Sequence, residues 1–210
     1  MPIVQEVILG SSSPFREKIL KTSGLHFVCK KAPCDEKEIQ DKDIRKLSLL
    51  RSLAKANALV PLHDAALIIG ADQTLSLEGR SLEKVESAAA ARECLYQLSG
   101  REYVLHSGFC LVYSGQYGKN HYTCHQEIVD IAMKLRPLSK AEIEAYVNTG
   151  EWKGVVGCNR IEAKGIYLHD QNYHYDTNAI QGLPLGPLLA ALRGLGIDGL
   201  LQEKPPWPLS

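Results

Sequence analysis

The eight residues at positions 67–74, LIIGADQT, are the stretch that decides the fold. Three consecutive apolar residues, two of them β-branched, predict a buried strand. Asp72 and Gln73 follow where that strand is expected to end. A buried carboxylate is costly unless it is paired, hydrated or bound to a metal. The end of this strand is therefore a candidate functional site.

The residues after this strand supply a candidate partner for Asp72. A turn is expected at residues 77–80, and Lys84 follows twelve residues after Asp72. A hairpin of this length brings Lys84 back toward Asp72. A carboxylate and an ammonium group that a strand and a hairpin hold close together suit a site that binds a metal ion and a phosphate. An ordinary Asp–Lys ion pair is the alternative, because structural ion pairs also arise in this way.

The N-terminal segment predicts a second phosphate-binding feature. Residues 7–10 are a short apolar run and indicate a first strand, which three serines and Pro14 follow. Ser13 is expected to cap a helix whose first residue is Pro14. Serine hydroxyls and backbone N–H groups at a helix N-terminus favour phosphate, and Arg16 adds charge there. The alternative is a capped helix with an exposed arginine.

The remaining periodicity predicts an α/β fold. Further strands are expected over residues 25–28, 104–113 and 126–135, and helices over residues 37–59, 88–98 after Ser87, 140–150 after the Ser139–Glu142 capping box, and 183–195. Strands that alternate with helices, with a hairpin in the middle, are typical of a mixed sheet. A polar loop is expected over residues 173–178. We expect a single domain over residues 1–203 and an irregular Pro-rich tail over residues 204–210.

Composition limits the classes of function. The 210 residues suit one large domain or two joined lobes, and 24 basic residues balance 24 acidic ones. A neutral chain has no general attraction for nucleic acid or anionic membranes, so any phosphate binding must be local. No apolar run approaches the roughly 20 residues that span a bilayer. The N-terminus lacks signal-peptide features and the six cysteines are scattered, which predicts a cytoplasmic protein with reduced thiols.

Familiar catalytic motifs are missing from the sequence. It contains no G-x-S-x-G, no G-x-x-x-x-G-K-[ST] and no G-x-G-x-x-G. The HYTCH segment at residues 121–125 matches no closed zinc pattern. A dispersed set of polar residues remains: Ser11, Arg16, Asp35, Glu36, Lys55, Asp72, Lys84 and Glu162. Several carboxylates and cations together predict a divalent metal that holds a polyphosphate.

Several short segments, taken in order, resemble motifs of the Maf family of nucleotide pyrophosphatases. LGSSSPFR at residues 9–16 is similar to the family's L-A-S-x-S-P-x-R opening. The other matching segments are Asp35-Glu36, LAKA at 53–56, IGADQ at 69–73, LSG at 98–100 and GLPL at 182–185. The ordered set covers nearly the whole chain.

The resemblance implies hydrolysis of a nucleoside triphosphate to a monophosphate and pyrophosphate. It also implies Mg²⁺ or Mn²⁺, a cytoplasmic homodimer, and a Maf/ITPase-like α/β fold. That fold has an elongated mixed sheet flanked by helices, with two lobes around a cleft. Asp72 would activate water, and Glu36 with Asp72 would hold the metal. The catalytic group implied in this way is Asp72, Lys84, Lys55 and Glu36, with Arg16 and Ser11 at the phosphates.

Three positions indicate the substrate branch within the family. Phe15, Gln73 and Glu162 make the chain more similar to the branch that reads S-P-W-R-R, G-S-D-Q and S-E-G, whose members hydrolyse 7-methyl-GTP. An aromatic ring at Phe15 suits a cationic base. A carboxylate at Glu162 accepts from guanine N–H groups or offsets the charge. The alternative is that Phe15 packs on Ile19 and Glu162 is solvated, with dTTP or UTP as the substrate.

Two departures from the family pattern leave open a class of protein other than an enzyme. Glu17 stands where the family has a second arginine, and Glu83 and Val85 flank Lys84 in place of glycine and proline. A carboxylate that faces phosphate repels it. The alternative to an enzyme is therefore a non-catalytic nucleotide-binding regulator.

Overall fold

The computed structural model describes residues 4–115, 120–170 and 176–201. The strands are β1 (Glu6–Gly10), β2 (Val28–Cys29), β3 (Ala66–Leu77), β4 (Arg80–Ser81), β5 (Glu102–Tyr113) and β6 (Tyr122–Lys134). They form one six-stranded sheet in the order β2-β1-β3-β5-β6, and β4 pairs with the end of β3. β1 runs parallel to β2 and β3, and the other pairs are antiparallel. The predicted α/β class with a mixed sheet is confirmed.

Within the described residues, six α-helices accompany this sheet. They are α1 (Pro14–Lys21), α2 (Ile44–Leu59), α3 (Ala88–Leu98), α4 (Lys140–Asn148), α5 (Thr177–Ile180) and α6 (Leu185–Gly194). Single 3₁₀ segments occupy Glu36–Glu38, Val60–Leu62, Val156–Cys158 and Lys164–Leu168. The prediction for α3 is confirmed, as is the capping box that begins α4. None of the helices in the described part of the chain has the length and apolar character to traverse a membrane.

Local hydrogen bonds correct the predicted start of one helix and the predicted cap of another, which begins at Pro14 as expected. The helix expected over residues 37–59 begins only at Ile44, because the side chain of Asp43 accepts from the backbone N–H of Lys46 and caps it there. Ser13 precedes α1 but makes no side-chain cap. Its backbone N–H instead donates to the Ser11 hydroxyl at 3.2 Å. That expected cap is therefore wrong.

The C-terminal predictions are only partly covered by the described residues. The last helix is slightly shorter than expected, at Leu185–Gly194. Part of the expected polar loop is helical, because the Asp176 carboxylate accepts from the first backbone N–H groups of α5. The rest of that loop, residues 171–175, and the tail at 204–210 lie outside the described residues.

Three apolar clusters form the core, two of them in one lobe and the third in the other. Two apolar clusters cover opposite faces of the sheet around β1, one including Leu9 and the other including Ile8. A third cluster lies at the other end of the long strands, where α3 and α4 pack through Leu95 and Ile143. The predicted two-lobed arrangement is confirmed.

The strand order places a gap between these lobes. β1 pairs with β3 only as far as Gly10 opposite Gly70. On the same edge, no described strand pairs with β3 again until β4 reaches Ser76. The chain leaves β1 toward β2 on one side, and β3 lies on the other side. Ligands of open α/β sheets bind at such a switch in strand order, beyond the carboxyl ends of the strands.

Two glycines allow α2 to approach the sheet closely. A Cβ on Gly70 would collide with the Ser52 carbonyl oxygen and lie 2.8 Å from Cys110 Sγ. A Cβ on Gly108 would lie 2.8 Å from Ser48 Oγ. The Ser52 hydroxyl donates to the Gly108 carbonyl at 2.9 Å across this contact. The two glycines therefore set the position of α2 over the sheet.

We expect Gly70→Ala to lower the free energy of unfolding by about 2–3 kcal/mol, because the added methyl group overpacks this contact. Gly186→Ala is the matched control, since a Cβ there meets nothing within 4 Å. Chemical denaturation measures both. Equal stability of the two variants would contradict the close approach of α2.

Candidate active site

The centre of the site is an ammonium group between two carboxylates. Lys55 projects from α2, and its Nζ donates to Asp72 Oδ1 at 2.7 Å and forms an ion pair with Glu36. The side chain of Asp72 is only 9% exposed. A buried carboxylate requires a partner of this kind. The alternative of an ordinary ion pair between Asp72 and Lys84 is wrong, because the lysine in contact with Asp72 is Lys55.

The neighbouring cations lower the pKa of Glu36. Burial by itself raises the pKa of Glu36, but the hydrogen bond and charge of Lys55, with smaller contributions from Lys84 and Arg16, hold that pKa below its ordinary value. Glu36 is therefore ionised at neutral pH. With Asp72 it gives a pair of carboxylates around one cation.

Arg16 is a buried cation on the other side of the switch in strand order. Its Nε donates to the Gly182 carbonyl at 2.8 Å, and its Nη1 donates to the Ser11 hydroxyl at 3.4 Å. Burial lowers the pKa of Arg16, whereas Asp72 and Glu36 oppose that shift. The opening serine motif and the closing GLPL motif, far apart in sequence, are thus joined through Arg16.

A cavity of about 600 Å³ opens in front of these groups. This volume lies within the range of about 300–1,000 Å³ that is typical of small-molecule sites. Its charged lining residues are Arg16, Lys31, Lys37, Lys55, Lys84, Lys153 and Arg160 against Asp35 and Glu36. Seven cations against two carboxylates make a locally positive cavity in a chain of zero net charge. Such a cavity is suited to a polyanion.

Lys84 lines this cavity and a second, smaller one. The side chain is accessible to solvent. Desolvation by neighbouring atoms and the nearby charge of Arg16 nevertheless lower the pKa of Lys84. The negative charges of Asp72 and Glu36 oppose this shift and raise the pKa. The predicted hairpin therefore brings Lys84 to the same charged centre, although not into contact with Asp72.

The smaller cavity, of about 60 Å³, is lined by Phe15, Gln73 and Glu162, all three predicted to bind substrate. The amide nitrogen of Gln73 donates to the Ser107 hydroxyl and to the Ala179 and Ile180 carbonyls at 2.9–3.0 Å. Gln73 therefore holds α5 against the sheet. Phe15 is half-buried, and it lines the cavity.

Sequence reasoning missed four cations of the larger cavity. They are Lys31, Lys37, Lys153 and Arg160. Lys37 lies in the 3₁₀ segment Glu36–Glu38 and the other three lie in loops, none of these segments carries a local pattern, and only the fold brings the four cations together. Glu17, expected to face phosphate, pairs instead with Lys21 one turn further along α1 at 2.6 Å. It is not part of the lining described for either cavity.

The metal that the resemblance implies has partial support in the donor set. Among the described ranges, no three His, Cys, Asp or Glu side chains come together to hold a metal ion. Asp72 and Glu36 do meet around one cation, the ammonium of Lys55. Mg²⁺ is usually bound by one or two carboxylates together with substrate phosphates and water. The two carboxylates therefore fit a metal that arrives with a polyphosphate.

Fold and site together define an α/β protein with a positively charged cavity beside a pair of carboxylates. The sequence model of the Maf family, described as Maf-like protein, matches residues 6–195. The chain therefore belongs to the Maf family.

Curated relatives match over nearly their whole lengths. The chain is 37% identical to the 7-methyl-GTP pyrophosphatase of Bartonella henselae, over 94% of this chain and 100% of that protein. It is 35% identical to the nucleoside triphosphate pyrophosphatase of Rhodopseudomonas palustris, over 90% of this chain and 93% of that one. A solved structure, of a HAM1 protein from Coxiella burnetii, has a TM-score of 0.45 at 14% identity and covers 91% of this chain and 100% of that one.

The contact between Gly182 and Arg16 generates a prediction. Gly182 has φ +97°, and a Cβ there would lie 3.3 Å from Arg16 Nε and Nη2. Gly182→Ala should destabilise the fold by about 1–2 kcal/mol through backbone strain. By moving Arg16 it should also weaken binding of inorganic tripolyphosphate several-fold, measured by calorimetry.

Gly24→Ala is the control for backbone strain, since Gly24 has φ +72° and nothing within 4 Å of a Cβ. It should lower stability and leave tripolyphosphate affinity unchanged. Unchanged affinity in Gly182→Ala as well would show that Arg16 does not contribute to anion binding.

Proposed function

We propose that this chain hydrolyses a nucleoside triphosphate to the monophosphate and pyrophosphate, with 7-methyl-GTP as its substrate. One observation carries the proposal: Lys55 joins Asp72 and Glu36 at a cavity with a large excess of cations. The names of the relatives from Bartonella henselae and Rhodopseudomonas palustris agree with it.

The triphosphate would be bound in the larger cavity by Arg16, Lys55 and Lys84. Arg16 is fixed by its hydrogen bonds and is pre-organised for a phosphate oxygen, whereas Lys84 is a more mobile point charge. Fixed positive charge around the phosphates also stabilises the negative charge that develops during their cleavage. Ser11 would support the bound phosphate by holding Arg16.

Asp72 would act as the general base. Its Oδ1 accepts from Lys55, which keeps the carboxylate oriented, and its other oxygen would accept from the attacking water. The water would attack the α-phosphorus and give up its proton to Asp72, and pyrophosphate would leave. Glu36 holds Lys55 from the other side and fixes the pair.

Glu36 and Asp72 would also hold the divalent cation, Mg²⁺ or Mn²⁺. When bound, such an ion neutralises phosphate charge and polarises the phosphoryl oxygens. The homodimer stays a prediction from the family resemblance, and the cytoplasmic location stays a prediction from that resemblance and from the scattered cysteines.

The rival functions are a dTTP or UTP pyrophosphatase and a non-catalytic regulator. The case for a regulator rests on Glu17, which pairs with Lys21 and lies outside the described lining of both cavities. That pairing removes the expected repulsion of phosphate and favours the enzyme.

A panel of nucleotides, assayed with Mg²⁺ or Mn²⁺, tests the proposal. We expect pyrophosphate release, with 7-methyl-GTP as the best substrate. Release of orthophosphate alone, or tight binding without turnover, would reject the pyrophosphatase function.

Asp72→Asn should lower kcat by a factor on the order of 10² or more, because the general base is lost. Asp130→Asn is the matched control, since Asp130 also pairs with basic residues, Arg45 and His106, but neither of these lines a described cavity, whereas Lys55 lines the larger one. Steady-state kinetics compare the two variants. Near-full kcat in Asp72→Asn would show that Asp72 is only a structural partner of Lys55.

Phe15→Ala should lower kcat/KM for 7-methyl-GTP more than for GTP, by between a few-fold and about 30-fold, because the ring favours the cationic base. Glu162→Gln should shift preference toward neutral bases such as those of UTP and dTTP. Phe27→Ala, at the edge of an apolar cluster, is a control for the loss of a ring. Equal losses for both substrates in Phe15→Ala would contradict the choice of base.

A further inference from the structure

The ring of Phe15 is already covered by a cation. The guanidinium carbon of Arg160 lies 4.7 Å from the centre of the Phe15 ring. Glu162 Oε1 lies 3.6 Å from Arg160 Nε. Phe15 lines both cavities, whereas Arg160 lines the larger and Glu162 the smaller. A planar cation thus lies over an aromatic ring and beside a carboxylate, at the boundary of the two cavities.

Arg160 is held weakly compared with Arg16. Its Nε is buried and has no hydrogen-bond partner among the described residues. Its Nη2 donates to the Lys153 carbonyl at the long distance of 3.4 Å. By contrast, Arg16 Nε donates to the Gly182 carbonyl at 2.8 Å. The hydrogen bonding therefore favours displacement of Arg160 over displacement of Arg16.

The smaller cavity has no room for a base in this structure. Its volume is about 60 Å³, and sites for small molecules begin at about 300 Å³. Phe15 and Glu162 cannot both serve a base until the guanidinium leaves the ring. Movement of Arg160 toward the larger cavity, which it already lines, would open the boundary between the two.

We infer that Arg160 occupies, in the free protein, the position of the substrate's cationic base. This inference rests on the proposed function. An N7-methylated guanine is a planar cation, and it would take over both contacts of Arg160, with the ring of Phe15 and with the carboxylate of Glu162. A neutral base leaves Glu162 without a cation. Binding is then an exchange of one cation for another, and Arg160 competes with every ligand that must open the site.

Such competition reduces apparent affinity by the fraction of molecules in which the site is open. Removal of the guanidinium should therefore tighten binding. We expect 7-methyl-GMP to bind Arg160→Ala and Arg160→Gln about 5-fold more tightly than the wild type, as the loss of one cation–π contact gives. Equilibrium dialysis measures this without turnover, and thermal unfolding checks that each variant is folded.

Three further measurements test whether the effect depends on the contact with Phe15. Lys153→Ala removes another cation of the same cavity, placed over Trp152 rather than over Phe15, and should not tighten binding. In a Phe15→Ala background, Arg160→Ala should have no further effect. Methylguanidinium should compete with 7-methyl-GMP at millimolar concentration in Arg160→Ala and not in the wild type, because the variant leaves the place of a guanidinium open.

Weaker binding to both Arg160 variants would overturn the inference, since Arg160 would then hold the ligand. Equal binding to wild type and variants would overturn it too, because the contact would not compete. These measurements use no hydrolysis. A failure of the pyrophosphatase proposal would appear separately, as the absence of pyrophosphate release from 7-methyl-GTP by the wild type.

Discussion

The contact between Lys55, Asp72 and Glu36 is the interaction on which the site depends. Asp72 is carried into the interior by a buried strand, and without a cation its charge would be costly there. Lys55 reaches it only because α2 lies directly on the sheet, and that packing requires glycine at positions 70 and 108. The apolar packing of one lobe therefore determines the geometry of the charged centre.

Much of the fold follows from local patterns, and the site follows only in part. The apolar run before Asp72 predicts β3, and the Ser87 cap with its alanine-rich segment predicts α3, because both signals lie within one element. The end of β3 is wrong in that prediction, since the strand continues past Asp72 and Gln73 to Leu77. Signals within one element do not identify the side chain that pairs with Asp72. Distance along the chain favours Lys84, whereas Lys55 makes the contact through the packing of α2 on β3. Family resemblance places Lys55 in the site, but does not identify its partners.

Local sequence patterns are also insufficient for the part of the site that we propose binds the base. The sequence identifies Phe15 and Glu162 as features for a cationic base, yet neither pattern predicts that Arg160 lies between them. The cations from loops, including Lys31 and Lys153, carry no sequence signal at all and are united only by the cavity. In the proposed function, selectivity for a cationic base and attraction of the phosphates would therefore be properties of two neighbouring cavities. Arg160 connects them, because it lines one and covers the ring shared by both.

The central claim is that Asp72, held by Lys55, directs water to the α-phosphorus. Hydrolysis of 7-methyl-GTP in ¹⁸O-labelled water, followed by mass spectrometry of both products, tests it most directly. Attack at the α-phosphorus predicts one labelled oxygen in the nucleoside monophosphate and none in the pyrophosphate. Label in pyrophosphate or in orthophosphate would mean that water attacks another phosphorus, and would contradict the role of Asp72 as the base that directs it.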